Sequence, residues 1–288
     1  MPTLPPPIAV IPAAGRATRL GELPCSKELL PVGFFEHRGR IRPKPVSRYL
    51  LEQFFRSGCR RVVFVVREQK WDIARYYGCG ADLGMSVGYA MMDEPYGPPF
   101  TIAQALPFVG EAPVMTGFPD ILLDPPDAFA QAWRALGESD ADVMLGTFPA
   151  GPGDVTDLVS GPLAPGSRHG SVARLEPKED DPVWSDDCDT WLFAIWRGRF
   201  SHFMVDALAQ LRARARAAVP GSEPEWPLGT VMAMALADGL RIERLHFPAG
   251  RFLDVGAPDR LARAGMFPGV WNGVAPASAA AAFGADPA

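Results

Sequence analysis

The chain has 288 residues, 48% of them hydrophobic and 21% charged, with a formal net charge of −5, which fits one globular domain of generous size or one with a small appendage. Mild acidity without a basic run argues against a nucleic-acid surface, and there is neither a long apolar span nor an N-terminal signal, so a soluble protein without a membrane partner is expected. Cys25, Cys59, Cys79 and Cys188 show neither paired metal spacing nor a dense disulfide framework, so reduced thiols in a cytoplasm are expected.

Residues 1–7 read as a short proline-rich arm. The first apolar run ends at Ile11 and reads as a buried strand, which breaks into Pro12-Ala13-Ala14-Gly15, small residues whose backbone another group can approach closely. Arg19 and Lys27 follow. Loop N–H groups, a planar guanidinium and a mobile ammonium together suit a polyphosphate, although a turn of this kind serves equally to let a helix pack closely on a sheet. Residues 33–42 form a charged insertion, read as a solvated loop or hairpin.

Lys44-Pro45-Val46 opens a helix in which Val46, Leu50 and Phe54 share one face, with Gly58 placed to end it. The apolar run 62–66 reads as a strand buried on both faces, which completes a right-handed parallel unit. A glycine-punctuated loop at 77–80, a strand near 87–91, a helix around 101–106 and a strand at 113–116 follow. Asp124-Pro125 is expected to cap a helix carrying Phe129, Trp133 and Leu136, and 142–148 reads as a further strand. The Gly-, Pro- and Ser-rich stretch 150–171 reads as a hairpin or flap. Beyond it come strands near 171–175 and 190–196, helices near 201–217 and 228–237, and a strand at 240–247. Alternation of this kind predicts an α/β, Rossmann-like fold: an open, mostly parallel sheet with helices on both faces. Its halves are a nucleotide-binding part at 8–149 and a second part, with a small β-rich portion, at 150–265. Residues 266–288 are a low-complexity tail, expected to be disordered.

The segments Ala14-Gly15-Arg16-Ala17-Thr18-Arg19-Leu20 and Ser26-Lys27-Glu28-Leu29-Leu30-Pro31-Val32 resemble the signature of the sugar-1-phosphate nucleotidyltransferases. These are the thymidylyl- and uridylyltransferases whose pattern runs roughly G-G-x-G-T-R-L and then P-K-E-x-L-P. The resemblance extends from about residue 8 to residue 261, takes in Lys44, Pro45 and Tyr49 as the family's K-P-x-x-x-Y helix, and implies the GT-A-like version of the fold. Two family glycines are alanine here, which requires negative φ at Ala14 and Ala17 if the loop is to keep its shape without strain.

The resemblance implies joining of an NTP to a sugar 1-phosphate, with release of pyrophosphate and with Mg2+ as cofactor. Positioning and electrostatics carry such a reaction, and Mg2+ takes oxygen ligands from one or two carboxylates plus phosphates and water. Asp120 and Asp254 are the implied metal ligands, although an Asp after a strand serves equally as a turn or cap residue. Arg19 and Lys27 are the implied catalytic cations, and Ala13, Ala14, Gly15 and Gly97 the implied nucleotide-binding positions. Glu176 and Lys178 match, in altered order, the family's sugar and sugar-phosphate contacts. Trp191 replaces a family glycine beside the acceptor, where it would shrink the pocket, and Met92 stands where many members read the base with Gln. The alternatives are a cytidylyltransferase acting on a phosphorylated alcohol, and a catalytically weak nucleotide-sugar-binding regulatory protein. The expected partners are the two small substrates, with a homo-oligomer left open.

Overall fold

The computed structural model describes residues 4–94, 96–149, 157–163, 165–177, 189–216 and 224–267. In chain order, β1 (Ile8–Pro12) leads through a loop to the hairpin of β2 (Pro31–His37) and β3 (Arg40–Pro45), then α1 (Val46–Arg56), β4 (Arg61–Val66), α2 (Trp71–Tyr77) and β5 (Ser86–Met91). Next come α3 (Pro98–Ala103), α4 (Leu106–Val109), β6 (Val114–Gly117), β7 (Ile121–Asp124), α5 (Ala128–Glu138) and β8 (Val143–Pro149). The second half holds β9 (Leu158–Ser160), β10 (His169–Ser171), β11 (Arg174–Glu176), β12 (Asp189–Trp196), α6 (Gly198–Arg216), α7 (Leu228–Ala237), β13 (Ile242–His246), β14 (Arg251–Asp254) and α8 (Pro258–Arg263). No helix among the described residues is long and apolar enough to cross a membrane.

The main sheet runs β10-β13-β8-β12-β6-β1-β4-β5, with β9 beside β12 and β11 beside β9. β1 lies between β4 and β6 and is parallel to both; β4 and β5 are parallel, as are β8 and β13. Strand β12 runs antiparallel between β6 and β8. A central strand must be apolar on both faces, and the sequence of β1 meets that demand. Val10 packs into a core with Phe100 of α3, Leu211 of α6 and Val231 of α7. Ile11 packs into the opposite core with Leu50 and Phe54 of α1 and Phe129 of α5. In that second core, Phe129 meets Phe54 edge-on at 4.8 Å and stacks on Phe193 of β12 at 4.0 Å.

The sheet, the flanking helices and the 33–42 hairpin agree with the pattern read from sequence. Three elements differ. The segment before the 77–80 glycines is helical, as α2, because Ile73 and Tyr77 fall on one face and are buried. Helix α5 begins at Ala128 rather than behind Asp124-Pro125. Asp124 ends β7, and its carboxylate receives Arg251 Nη2 of β14 at 3.2 Å. The third difference is the β7–β14 ribbon itself, four residues in each strand and separate from the main sheet. Strands this short carry too little periodicity to be read.

Candidate active site

The loop after β1 is tied to the sheet at its start, where Ala13 N donates to Val65 O at 2.8 Å. Ala13 and Ala14 are buried while Gly15 and Arg16 face solvent. Ala14 has negative φ, as expected, but Ala17 does not: it is left-handed, at φ 56° and ψ 31°. The loop therefore keeps a glycine-type backbone at Ala17 and accepts a strain of about 1 kcal/mol for its methyl group.

Lys27 sits in a single 3-10 turn, Lys27–Leu29, fixed from both sides. Ser26 donates through its backbone N and its Oγ to the Asp72 carboxylate, both at 2.6 Å. Glu28, fully buried, accepts two bonds from Lys70 Nζ, at 2.6 and 2.8 Å. Burial raises the Glu28 pKa and lowers that of Lys70, so each depends on the other for its charge. With its neighbours pinned, Lys27 Nζ points back along the loop, 3.9 Å from where a Cβ on Gly15 would stand.

On the other side of that cation, Asp120 follows β6 and accepts Lys27 Nζ at 2.5 Å. Burial disfavours charge on both groups, yet their contact prevails. The amine is held above its ordinary pKa and the carboxyl below. Asp254 is set beside this pair by the ribbon, because β14 pairs antiparallel with β7 in a register that places Asp254 opposite Ile121. Val255 N then donates to Asp120 O at 2.9 Å, and Gly256 N to Asp254 Oδ1 at 2.7 Å. Arg19 Nη2 reaches Asp254 Oδ2 at 3.4 Å. Arg19, Lys27, Asp120 and Asp254, drawn from far-separated parts of the chain, thus meet at the end of the small-residue loop.

Gly256 is the point on which the acids converge. A Cβ there would lie 2.8 Å from Asp254 Oδ1, 2.9 Å from Arg19 Nη2 and 3.2 Å from Asp120 Oδ2. Its φ needs no glycine, so Gly256→Ala tests the contacts alone. The expected result is a turnover loss of at least about tenfold, since misplacing such groups by an ångström costs that much or more, with little change in melting temperature. Turnover equal to the parent would show that the acids tolerate displacement.

The remaining positions are placed as follows. Gly97 caps α3 with φ 106°, and the close approach its missing side chain permits is made by the chain itself: a Cβ would lie 2.2 Å from Trp226 O. Met92 packs its side chain against the core on that side of the sheet. Glu176 ends β11 and pairs with Arg174. Lys178 lies outside the described residues. Trp191 is buried in β12, its ring 6.4 Å from that of Phe118, which stands two residues before Asp120. Lys44 and Tyr49 serve as a clamp: Lys44 Nζ pairs with Glu52 at 2.8 Å above the Tyr49 ring, and Tyr49 OH donates to Val32 O at 2.7 Å. That clamp joins β2, β3 and α1. Sequence reasoning missed Lys70 and Asp72, the residues that hold the Lys27 turn. Glu28, a charge immediately before the apolar Leu29-Leu30, carried the one hint that a buried partner was needed.

No family model matches the chain, and no curated protein matches it in sequence. Solved structures do match, and they share the fold of this chain. A UDP-glucose pyrophosphorylase in complex with UDP-glucose aligns with a TM-score of 0.71 at 17% identity, over 91% of this chain and 97% of its own. A Bacillus anthracis protein assigned as a glucose-1-phosphate thymidylyltransferase, in complex with sucrose, aligns at 0.70 and 15% over 90% and 94%. A UDP-glucose pyrophosphorylase from Acinetobacter baumannii aligns at 0.69 and 17% over 91% and 92%. At these identities the likeness establishes the fold, in agreement with the α/β architecture expected from sequence.

Proposed function

We propose that this protein is a nucleotidyltransferase that joins an NTP to a sugar 1-phosphate, giving a nucleotide sugar and pyrophosphate. The observation that carries the reading is the meeting of Arg19, Lys27, Asp120 and Asp254 beside the 12–17 loop. Loop N–H groups and the two cations are suited to a triphosphate, and two acids beside them are suited to a divalent ion. Asp120 and Asp254 offer hard oxygen donors facing one point, which fits Mg2+, an ion commonly held by one or two carboxylates while phosphates and water complete its shell. When bound there, Mg2+ offsets the negative charge that crowds the α-phosphate as the acceptor oxygen approaches.

The chain's own residues do the rest. Lys27, held by the anchored turn, has its charge secured by Asp120 and stands over the loop, where it can follow charge that grows on the leaving pyrophosphate. Arg19 is more exposed and reaches Asp254 with one arm of its fork. The second half supplies the acceptor side, with Glu176 and Trp191 on its strands and Lys178 as the sugar-phosphate cation. One protein of the same fold holds UDP-glucose, a nucleotide sugar, which supports the reading of the product class.

The test is a pyrophosphate-release screen of the common NTPs against hexose 1-phosphates, with phosphorylated amino alcohols and polyols as further acceptors, in the presence of Mg2+. One NTP and hexose 1-phosphate pair is expected to turn over well above the others. A preference for CTP with a phosphorylated alcohol would replace the sugar reading. Tight nucleotide-sugar binding without turnover would make the protein a sensor.

A further inference from the structure

Three consecutive residues that follow β4, Lys70-Trp71-Asp72, bracket the Lys27 turn. Lys70 takes Glu28, the residue after Lys27, and Asp72 takes Ser26, the residue before it. Trp71, between the two, is exposed. The two grips differ in kind. Lys70 and Glu28 form a buried ion pair, whereas Ser26 and Asp72 are half-buried and meet through two hydrogen bonds: Oδ2 of Asp72 accepts Ser26 N and Oδ1 accepts Ser26 Oγ, both at 2.6 Å.

A serine held by its N–H and its hydroxyl together is fixed in its main chain as well as in its side chain. The backbone of Ser26 stands at φ −56° and ψ 137°, which is the conformation that a proline ring imposes by itself. Ser26 O accepts Leu29 N at 2.8 Å and so opens the turn that carries Lys27, and a proline would keep that acceptor. Proline is also the residue at this point of the P-K-E-x-L-P pattern that the segment resembles. Asp72 does with two hydrogen bonds what a ring does covalently.

We propose that Asp72 is a positioning residue for the transfer: through Ser26 it fixes the corner from which Lys27 reaches the loop and Asp120. The inference rests on the nucleotidyltransferase reading and adds to it the means by which the chain aims its pyrophosphate-facing cation. Lys27 Nζ stands 2.5 Å from Asp120 Oδ2. A long side chain adds its own freedom to that of the corner it starts from, so a loosened corner spreads the amine over positions of which few serve the transition state.

The experiment compares the parent with Asp72→Ala and with Ser26→Pro/Asp72→Ala, on the best NTP and sugar 1-phosphate from the screen, with a thermal melt of each protein. Proline enters together with the alanine because its ring would take the space through which Ser26 N–H now reaches Asp72 Oδ2. Asp72→Ala should lose about tenfold or more in kcat, with the KM for NTP changed by less than about threefold, as expected of a group whose work is done in the transition state. The double variant should return to within about threefold of the parent kcat, because the ring restores the corner. Asp72 Oδ1 also accepts Ile73 N at 3.0 Å at the start of α2, and both variants lose that bond. A purely structural loss would therefore leave the two equally slow, whereas a loss of position is repaired by the proline. Asp72→Ala with the kcat of the parent, a loss confined to KM, or a folded double variant as slow as the single one overturns the inference and leaves the reaction in place. If Asp72→Ala does not fold, the double variant is judged against the parent by the same threefold and tenfold limits; a double variant that does not fold either assigns Asp72 to stability and overturns its positioning role. A parent without turnover on any substrate pair rejects the reaction and the inference together.

Discussion

Asp254→Asn should lower turnover by about a hundredfold or more, the scale of ~3 kcal/mol of lost transition-state stabilisation, while the protein melts close to the parent temperature. Asp254 makes one contact to Arg19 at 3.4 Å and accepts Gly256 N, an arrangement that an amide oxygen can largely reproduce. What the amide lacks is the charge. Asp120→Asn should lose at least as much, but it also strips the buried Lys27 of the carboxylate that holds its proton, so some stability goes with it. The pair is informative because the two acids differ in what they do without substrate and agree in what they are proposed to do with it. Steady-state turnover at saturating Mg2+ and NTP, with a calorimetric melt of each variant, makes the measurement. Folded variants that both turn over near the parent rate would remove the metal assignment.

The second large effect is on stability. Lys70→Met leaves Glu28, with no exposed surface, facing an apolar side chain where two hydrogen bonds stood. Breaking a buried pair from one side costs about 3–5 kcal/mol, whereas replacing both members by apolar groups of similar size is often neutral. Chemical denaturation should therefore show a loss of that order for Lys70→Met and recovery of most of it in Glu28→Met/Lys70→Met. Turnover should remain low in the double variant if the pair is what orients the adjacent Lys27. A single variant as stable as the parent would mean that Glu28 is carried protonated and that the pair is not an anchor.

Much of the scaffold was legible because its strands are either apolar runs, as in β1 and residues 62–66 of β4, or flanked by unmistakable glycine and proline breaks. Helix α1 announced itself by Val46, Leu50 and Phe54, and all three are buried. The reversed direction of β12 was not legible, because strand polarity depends on the path of the connection and not on the apolar run itself. The four charges proposed to act were singled out by the resemblance of their surroundings to the family's motifs, and the fold brings them together. Their supports were hidden for a physical reason: Asp72 and Lys70 lie in a segment whose sequence carries no motif, and each acts on a turn more than forty residues earlier, with separations of 46 and 42 residues. Ala17 shows the opposite limit. Its methyl group favours ordinary backbone, yet the residue is left-handed.

The β7–β14 ribbon has a consequence in time as well as in space. Arg19 and Asp254 are separated by 235 residues, and among the described residues the strand that delivers Asp254 is the last to leave a ribosome. A nascent chain that has already formed β1, its loop and β6 holds Lys27 and Asp120 in reach of each other, yet it lacks the second acid until nearly everything else has been made. The acid pair proposed to hold the metal is therefore complete only once β14 has been made and has paired with β7.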